Sequence, residues 1–114
     1  MTRPQVEILY FDGCPNHEAA RAQVEQVAAE LPVEPEIRLV RVPSATSAAQ
    51  HRFLGSPTVR VDGRDVEPGA ETRREFVFSC RVYRSERGLS GLPDPGWVRA
   101  ALARSAAQAG TNER

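Results

Sequence analysis

The chain of 114 residues lacks the excess charge that marks many nucleic-acid-binding and membrane-binding proteins. It contains no lysine, and its 15 arginines balance 15 acidic residues to a formal net charge of zero. Without a broad electrostatic field, the sequence predicts neither a nucleic acid nor a membrane surface as partner. We attribute the absence of lysine to genomic codon usage.

Long apolar runs and the core of a signal peptide are also absent. Apolar residues make up 40% of the chain, but no run approaches the length of about 20 residues that spans a membrane. The N-terminus leads directly into a strand-like segment, so we expect a cytoplasmic protein. The sequence carries no phosphate-binding loop, serine triad or pair of catalytic carboxylates, and we expect no cofactor.

Cysteine is scarce, with two residues in the chain. In a cytosolic protein, two cysteines favour thiol chemistry over a structural disulfide. Cys14 lies in the segment FDGCPNH, between an apolar run and a helix pattern, and Pro15 suits the first position of that helix. The first turn of a helix favours a thiolate through unpaired N–H groups and the helix dipole. We therefore predict that Cys14 is a solvent-open reactive thiol; a small buried apolar residue is the alternative.

His17 follows Cys14 by three positions, so the two side chains can share one face of the helix. As an imidazolium, His17 would stabilise a thiolate, and as a neutral imidazole it would accept the thiol proton. A solvent-facing histidine without a role is the alternative. We include His17 with Cys14 among the candidate catalytic residues.

Hydrophobic periodicity predicts the element order β-α-β-α-β-β-α in one domain, residues 1–114. The predicted elements are strands at 5–11, 36–42, 58–61 and 76–83, and helices at 15–31, 44–53 and from 94. We expect a loop insertion at about 63–75, although 64–67 could begin a return strand, and a frayed tail from about 108. A right-handed crossover then predicts an α/β fold with a mixed four-stranded sheet and helices on both faces.

This arrangement resembles the thioredoxin-like superfamily. The resemblance rests on the cysteine at the strand–helix junction, on Gly55-Ser56-Pro57-Thr58 before the third strand, and on the element order. The segments at 79–83 and 88–93 are also similar to a group of small bacterial thioredoxin-like proteins. The resemblance implies that Pro57 is a cis-proline beside the active cysteine, although a trans proline is tolerable at the start of a strand.

The same resemblance implies roles for the residues around that proline. Pro57 would act as a backbone clamp for the substrate, and Ser56 and Thr58 would contribute to substrate binding. Arg81 and Arg84 could bind an anionic group, such as the carboxylates of glutathione, or could be solvated or paired with glutamates.

Cys80 is the candidate for a second, resolving cysteine. Strict alternation in the strand predicted at 76–83 places Cys80 on its apolar face, which favours a role in the core. A disulfide needs Cα atoms within about 7 Å, so the sequence favours no bridge between Cys14 and Cys80 but leaves one open.

Two functions follow from these predictions. In the first, the chain is a monothiol thiol–disulfide oxidoreductase: Cys14 attacks a disulfide of a protein or low-molecular-weight thiol, and an external thiol resolves the product. In the second, a non-catalytic module binds a partner, a thiol metabolite or a soft metal such as zinc, copper or mercury. Cys14 and His17 would then be ligands, with Cys80 and His51 as further candidates. The sequence leaves the substrate, the reducing partner and the oligomeric state open.

Overall fold

The structure, a computed structural model, describes the backbone of residues 3–112 and the side chains of residues 3–107. Its strands are β1 (Gln5–Tyr10), β2 (Glu36–Arg41), β3 (Thr58–Val61), β4 (Arg64–Asp65), β5 (Tyr83–Ser85) and β6 (Gly88–Ser90). Its helices are α1 (Asn16–Glu30), α2 (Ala45–Gln50) and α3 (Pro95–Asn112), and a single 3₁₀ turn spans Ala70–Thr72.

Four strands form a mixed sheet in the order β2-β1-β3-β4. β1 runs parallel to β2 and antiparallel to β3, so that Ile8 lies opposite Leu39 on one side and Val59 on the other. β3 and β4 form an antiparallel hairpin, and β5 and β6 form a separate one. The mixed sheet with helices agrees with the predicted fold class.

The alternation of side chains along β1 divides the core into two layers. Val6 and Ile8 pack on one face, in a cluster with residues of α1 and α3. Leu9 points to the opposite face, where it packs with Phe53 and with Ala48 of α2. The sheet therefore carries helices on both faces, and β1, which is buried between them, directs its C-terminal end toward Cys14.

The helix boundaries follow from local chemistry. Pro15 precedes α1 in a near-helical conformation, with φ of −82° and ψ of −5°. The Oγ of Ser44 accepts a hydrogen bond from the backbone N–H of Ser47, so the cap predicted for α2 is confirmed.

The prediction of a strand at 76–83 is wrong. β4 occupies the place beside β3, because the turn at Asp62-Gly63 returns the chain directly into a hairpin. The predicted loop insertion at 63–75 therefore contains the fourth strand and a 3₁₀ turn. The segment 76–82 is irregular instead, and Val77, Phe78 and Val82 are exposed.

Between residues 3 and 112, no helix is both long and apolar enough to cross a membrane. The tail predicted to fray from about residue 108 lies outside the residues whose side chains are described, whereas the backbone of α3 is described as far as Asn112.

Candidate thiol site

Cys14 lies in the turn between β1 and α1, as the sequence predicts, but its thiol is buried. Its backbone N–H donates to the carbonyl of Phe11 at 3.1 Å, which closes the turn. Its Sγ donates to the carbonyl of Ser56 at 3.5 Å, and only 1% of the residue is exposed. The expectation of a solvent-open thiol is wrong, because the chain before Pro57 packs directly against the sulfur.

The segment Gly55–Thr58 forms the wall opposite Cys14. The Ser56–Pro57 peptide bond is cis, and Gly55 has φ of +115°. Ser56 and Thr58, the residues predicted to bind substrate, are both fully buried. Thr58 Oγ1 donates to the carbonyl of Gly55 at 2.6 Å, whereas Ser56 Oγ has no hydrogen-bond partner among the described residues. One buried hydroxyl of this wall, that of Ser56, is therefore unused among the described residues.

His17 lies on the first turn of α1, but its ring nitrogens do not contact the thiol of Cys14. Nδ1 lies 3.1 Å from the carbonyl oxygen of Cys14, and Nε2 lies 3.5 Å from Oε2 of Glu18. A carbonyl oxygen only accepts, so the first contact requires the proton on Nδ1. The ring also stacks on Tyr10, with centroids 4.1 Å apart. His17 thus contacts Cys14 through its backbone.

Cys80 is exposed, so its predicted place in the core is wrong. It pairs with Ser56 in an isolated parallel bridge, in which Ser56 N–H donates to Ser79 O at 2.8 Å and Arg81 N–H donates to Ser56 O at 2.9 Å. Partial desolvation raises the pKa of the Cys80 thiol, and a hydrogen bond with Cys14 raises it further. The structure therefore brings the two thiols together.

Arg81 is the charged centre of the segment that carries Cys80. Its guanidinium is 1% exposed and donates to Asp65 at 2.7 Å, to Glu67 at 2.6 Å and to Thr58 Oγ1 at 3.1 Å. It also lies 4.3 Å from the centre of the Tyr83 ring. Of the alternatives for Arg81, pairing with nearby acids is confirmed, because the chain's own carboxylates occupy its guanidinium. The sequence did not single out Asp65 or Glu67, which lie where it predicts a loop insertion or the beginning of a return strand.

The comparison with curated proteins finds a thioredoxin of Methanocaldococcus jannaschii that is 32% identical to this chain over 83 residues. The alignment covers 71% of this chain and 96% of the relative. The chain belongs to the thioredoxin-like superfamily. No family model matches the sequence, and no solved structure shows a significant match.

Metal binding in this thioredoxin-like chain would have to rely on few protein ligands. Within the part of the chain that the structure describes, no three His, Cys, Asp or Glu side chains form a group able to hold a metal ion. His51, a candidate ligand, follows α2 and is exposed.

Tyr83 stabilises the wall formed by Gly55–Thr58 in this thioredoxin-like chain. Its ring is buried, and its hydroxyl donates to the carbonyl of Pro57. We expect Tyr83→Phe to lower the free energy of unfolding by about 1–3 kcal/mol, because the buried carbonyl loses its donor. Urea denaturation measures this loss. Tyr10→Phe, which keeps the ring stacked on His17, should change the stability by less than about 0.5 kcal/mol; equal losses in the two variants would contradict the role of the Tyr83 hydroxyl.

Proposed function

We propose that the chain carries out thiol–disulfide exchange and that Cys14 is its reacting thiol. The observation that carries this proposal is the position of Cys14 two residues before α1 begins, with Sγ against the carbonyl of Ser56 beside Pro57. Unpaired N–H groups at the start of a helix favour the thiolate form of such a cysteine. The similarity to a thioredoxin supports the same class of chemistry.

In its simplest form the mechanism uses Cys14 alone. Its thiolate attacks one sulfur of an external disulfide, the S–S bond breaks, and the second sulfur leaves as a thiolate. An external thiol then attacks the mixed disulfide and releases Cys14. The partners are a protein disulfide or a low-molecular-weight thiol, and the cytoplasm, with its reducing thiol pool, is the compartment that we propose.

His17 and Pro57 have supporting roles in this proposal. His17 holds the carbonyl of Cys14 through Nδ1, which fixes the first turn of α1 around the thiol. When protonated, its ring would also add positive charge near the thiolate. Pro57, with Ser56 and Thr58 on either side, forms the wall against which a bound disulfide would lie.

The burial of Cys14 favours a second candidate function, in which the chain binds a thiol metabolite, a soft metal or a protein partner without catalysis. A thiol with 1% exposure reacts with external disulfides only after its surroundings move. Under this alternative, Cys14 and His17 would contribute to binding, and the chain would not accelerate exchange.

An exchange assay separates the two functions. The reduction of bis(2-hydroxyethyl) disulfide by glutathione is followed through the oxidation of NADPH by glutathione reductase. We expect the chain to accelerate this reaction and Cys14→Ser to return it to the rate without protein, because the attacking sulfur is gone. Thr46→Ala, an exposed change on α2, serves as the control and should keep the full rate. Acceleration that persists in Cys14→Ser would overturn the proposal, and so would no acceleration by the unaltered chain.

A further inference from the structure

We propose that Cys80 is the second thiol of this site, so that Cys14 and Cys80 form a reversible disulfide within one chain. This inference rests on the proposed function and deepens it: the exposed Cys80 meets the external disulfide first, and Cys14 takes the place of the external thiol that resolves the mixed disulfide. The helix motif has His17 where a second cysteine would complete a dithiol, and the second sulfur comes from a distant segment of the chain.

The backbone of Ser56 holds both cysteines in place, Cys14 through its sulfur and Cys80 through the residues on either side of it. The carbonyl of Ser56 accepts from Sγ of Cys14 at 3.5 Å and from the N–H of Arg81 at 2.9 Å. The residue directly paired with Ser56 in the bridge is Cys80. The two cysteines therefore lie on either side of Ser56, close enough for the Cys14 thiol to raise the pKa of the Cys80 thiol.

The segment 79–81 occupies the place proposed for a substrate. A clamp beside Pro57 would hold an extended substrate through free backbone groups, but the N–H and carbonyl of Ser56 are already paired with residues 79 and 81. The chain's own segment thus lies along the wall as a substrate strand would, and Cys80 is the cysteine of that strand. Arg81 anchors it through the buried ion pairs with Asp65 and Glu67.

The two sulfurs differ in access to solvent. Cys14 is 1% exposed, whereas Cys80 is exposed, so an external disulfide meets the sulfur of Cys80. Cys14 is the buried partner at the start of α1.

The positions of the two sulfurs set the order of the two exchange steps. The Cys80 thiolate attacks one sulfur of the external disulfide; an S–S bond forms, another breaks, and the first substrate thiol leaves. The Cys14 thiolate then attacks the sulfur of Cys80, forms the internal disulfide and releases the second substrate thiol. The two protein thiols lose two electrons and two protons, which the substrate gains. An external dithiol reverses both steps, with Cys14 leaving as a thiolate.

Mass spectrometry of the full chain tests the disulfide. The reduced protein is treated with bis(2-hydroxyethyl) disulfide, and we expect a mass loss of about 2 Da in a species that stays monomeric. Tryptic digestion without reduction should yield residues 1–21 linked to residues 75–81. A disulfide found only between two chains, or two separate adducts on one chain, would overturn the inference.

The single variants distinguish this inference from the proposed function. Cys14→Ser should retain a stable adduct on Cys80, because the thiol that releases it is absent. Cys80→Ser should form its adduct on the buried Cys14 much more slowly and should lose the acceleration of exchange. If Cys80→Ser keeps the full exchange rate while Cys14→Ser loses it, the internal disulfide is wrong and the single-cysteine mechanism stands. If the unaltered chain does not accelerate exchange, the proposed function itself fails.

Discussion

Arg81→Met is expected to lower the free energy of unfolding by about 3–5 kcal/mol, because it removes the cation from a buried ionic cluster. Asp65 and Glu67 both accept hydrogen bonds from this one guanidinium, and their side chains are 8% and 18% exposed. Without it, two carboxylates stay close together and largely desolvated. A loss of this size is a large part of the stability of a small domain, and urea denaturation of the reduced protein measures it.

Two matched variants test the cause of that loss. Arg84→Met changes an exposed arginine three positions further on, and we expect a change within about 0.5 kcal/mol. Adding Asp65→Asn and Glu67→Gln to Arg81→Met should restore part of the stability, since no uncompensated charge is left buried. A loss below about 1 kcal/mol in Arg81→Met, or a triple variant less stable than the single one, would contradict the ionic cluster.

Short-range patterns account for what the sequence predicted well. The apolar run at Gln5–Tyr10 forms an interior strand of the sheet, because a strand that packs on both faces needs apolar residues on both. Ser44 caps α2 through a contact three residues away. The position of Cys14 before α1 depends on the local preference of Pro15 for a helix start. Each of these features is decided within a few residues along the chain.

The strand predicted at 76–83 failed because alternation does not specify a partner. A strand needs an unpaired neighbour, and the hairpin that begins at Asp62-Gly63 places Arg64–Asp65 beside β3 instead. The same hairpin brings Asp65 toward Arg81, so that an arginine becomes buried where the sequence suggests a solvated one. Composition alone cannot reveal this pairing across 16 positions.

The relation between the two thiols was missed for the same reason. Once residues 76–83 were assigned to a strand, alternation placed Cys80 on an apolar face, away from Cys14. In the structure, the register between Ser56 and Cys80 decides its position, and that register is fixed by backbone hydrogen bonds between distant segments. The sequence indicated both cysteines as candidates but not that Ser56 would lie between them.

Gly55→Ala is expected to cost about 1–3 kcal/mol more than Gly88→Ala, because the added methyl group has no room. The two glycines have similar φ, +115° and +106°, so both variants carry the strain of a conformation that side chains rarely adopt. A Cβ on Gly55 would lie 2.8 Å from Cβ of Arg81 and 3.1 Å from its Cα, whereas nothing lies within 4 Å at Gly88. Urea denaturation of both variants isolates the steric part of the cost.

The same pair of variants links the close approach at Gly55 to the thiols. A methyl group there pushes Arg81 away, and Cys80 moves with Arg81 because the two are neighbours in the chain. The movement also strains the hydrogen bond from the N–H of Arg81 to the Ser56 carbonyl, which Sγ of Cys14 contacts. We therefore expect Gly55→Ala to form the Cys14–Cys80 disulfide more slowly than Gly88→Ala under conditions where both are folded. Since a disulfide tolerates little displacement of its Cα atoms, equal rates would mean that the contact between Gly55 and Arg81 does not set the position of Cys80.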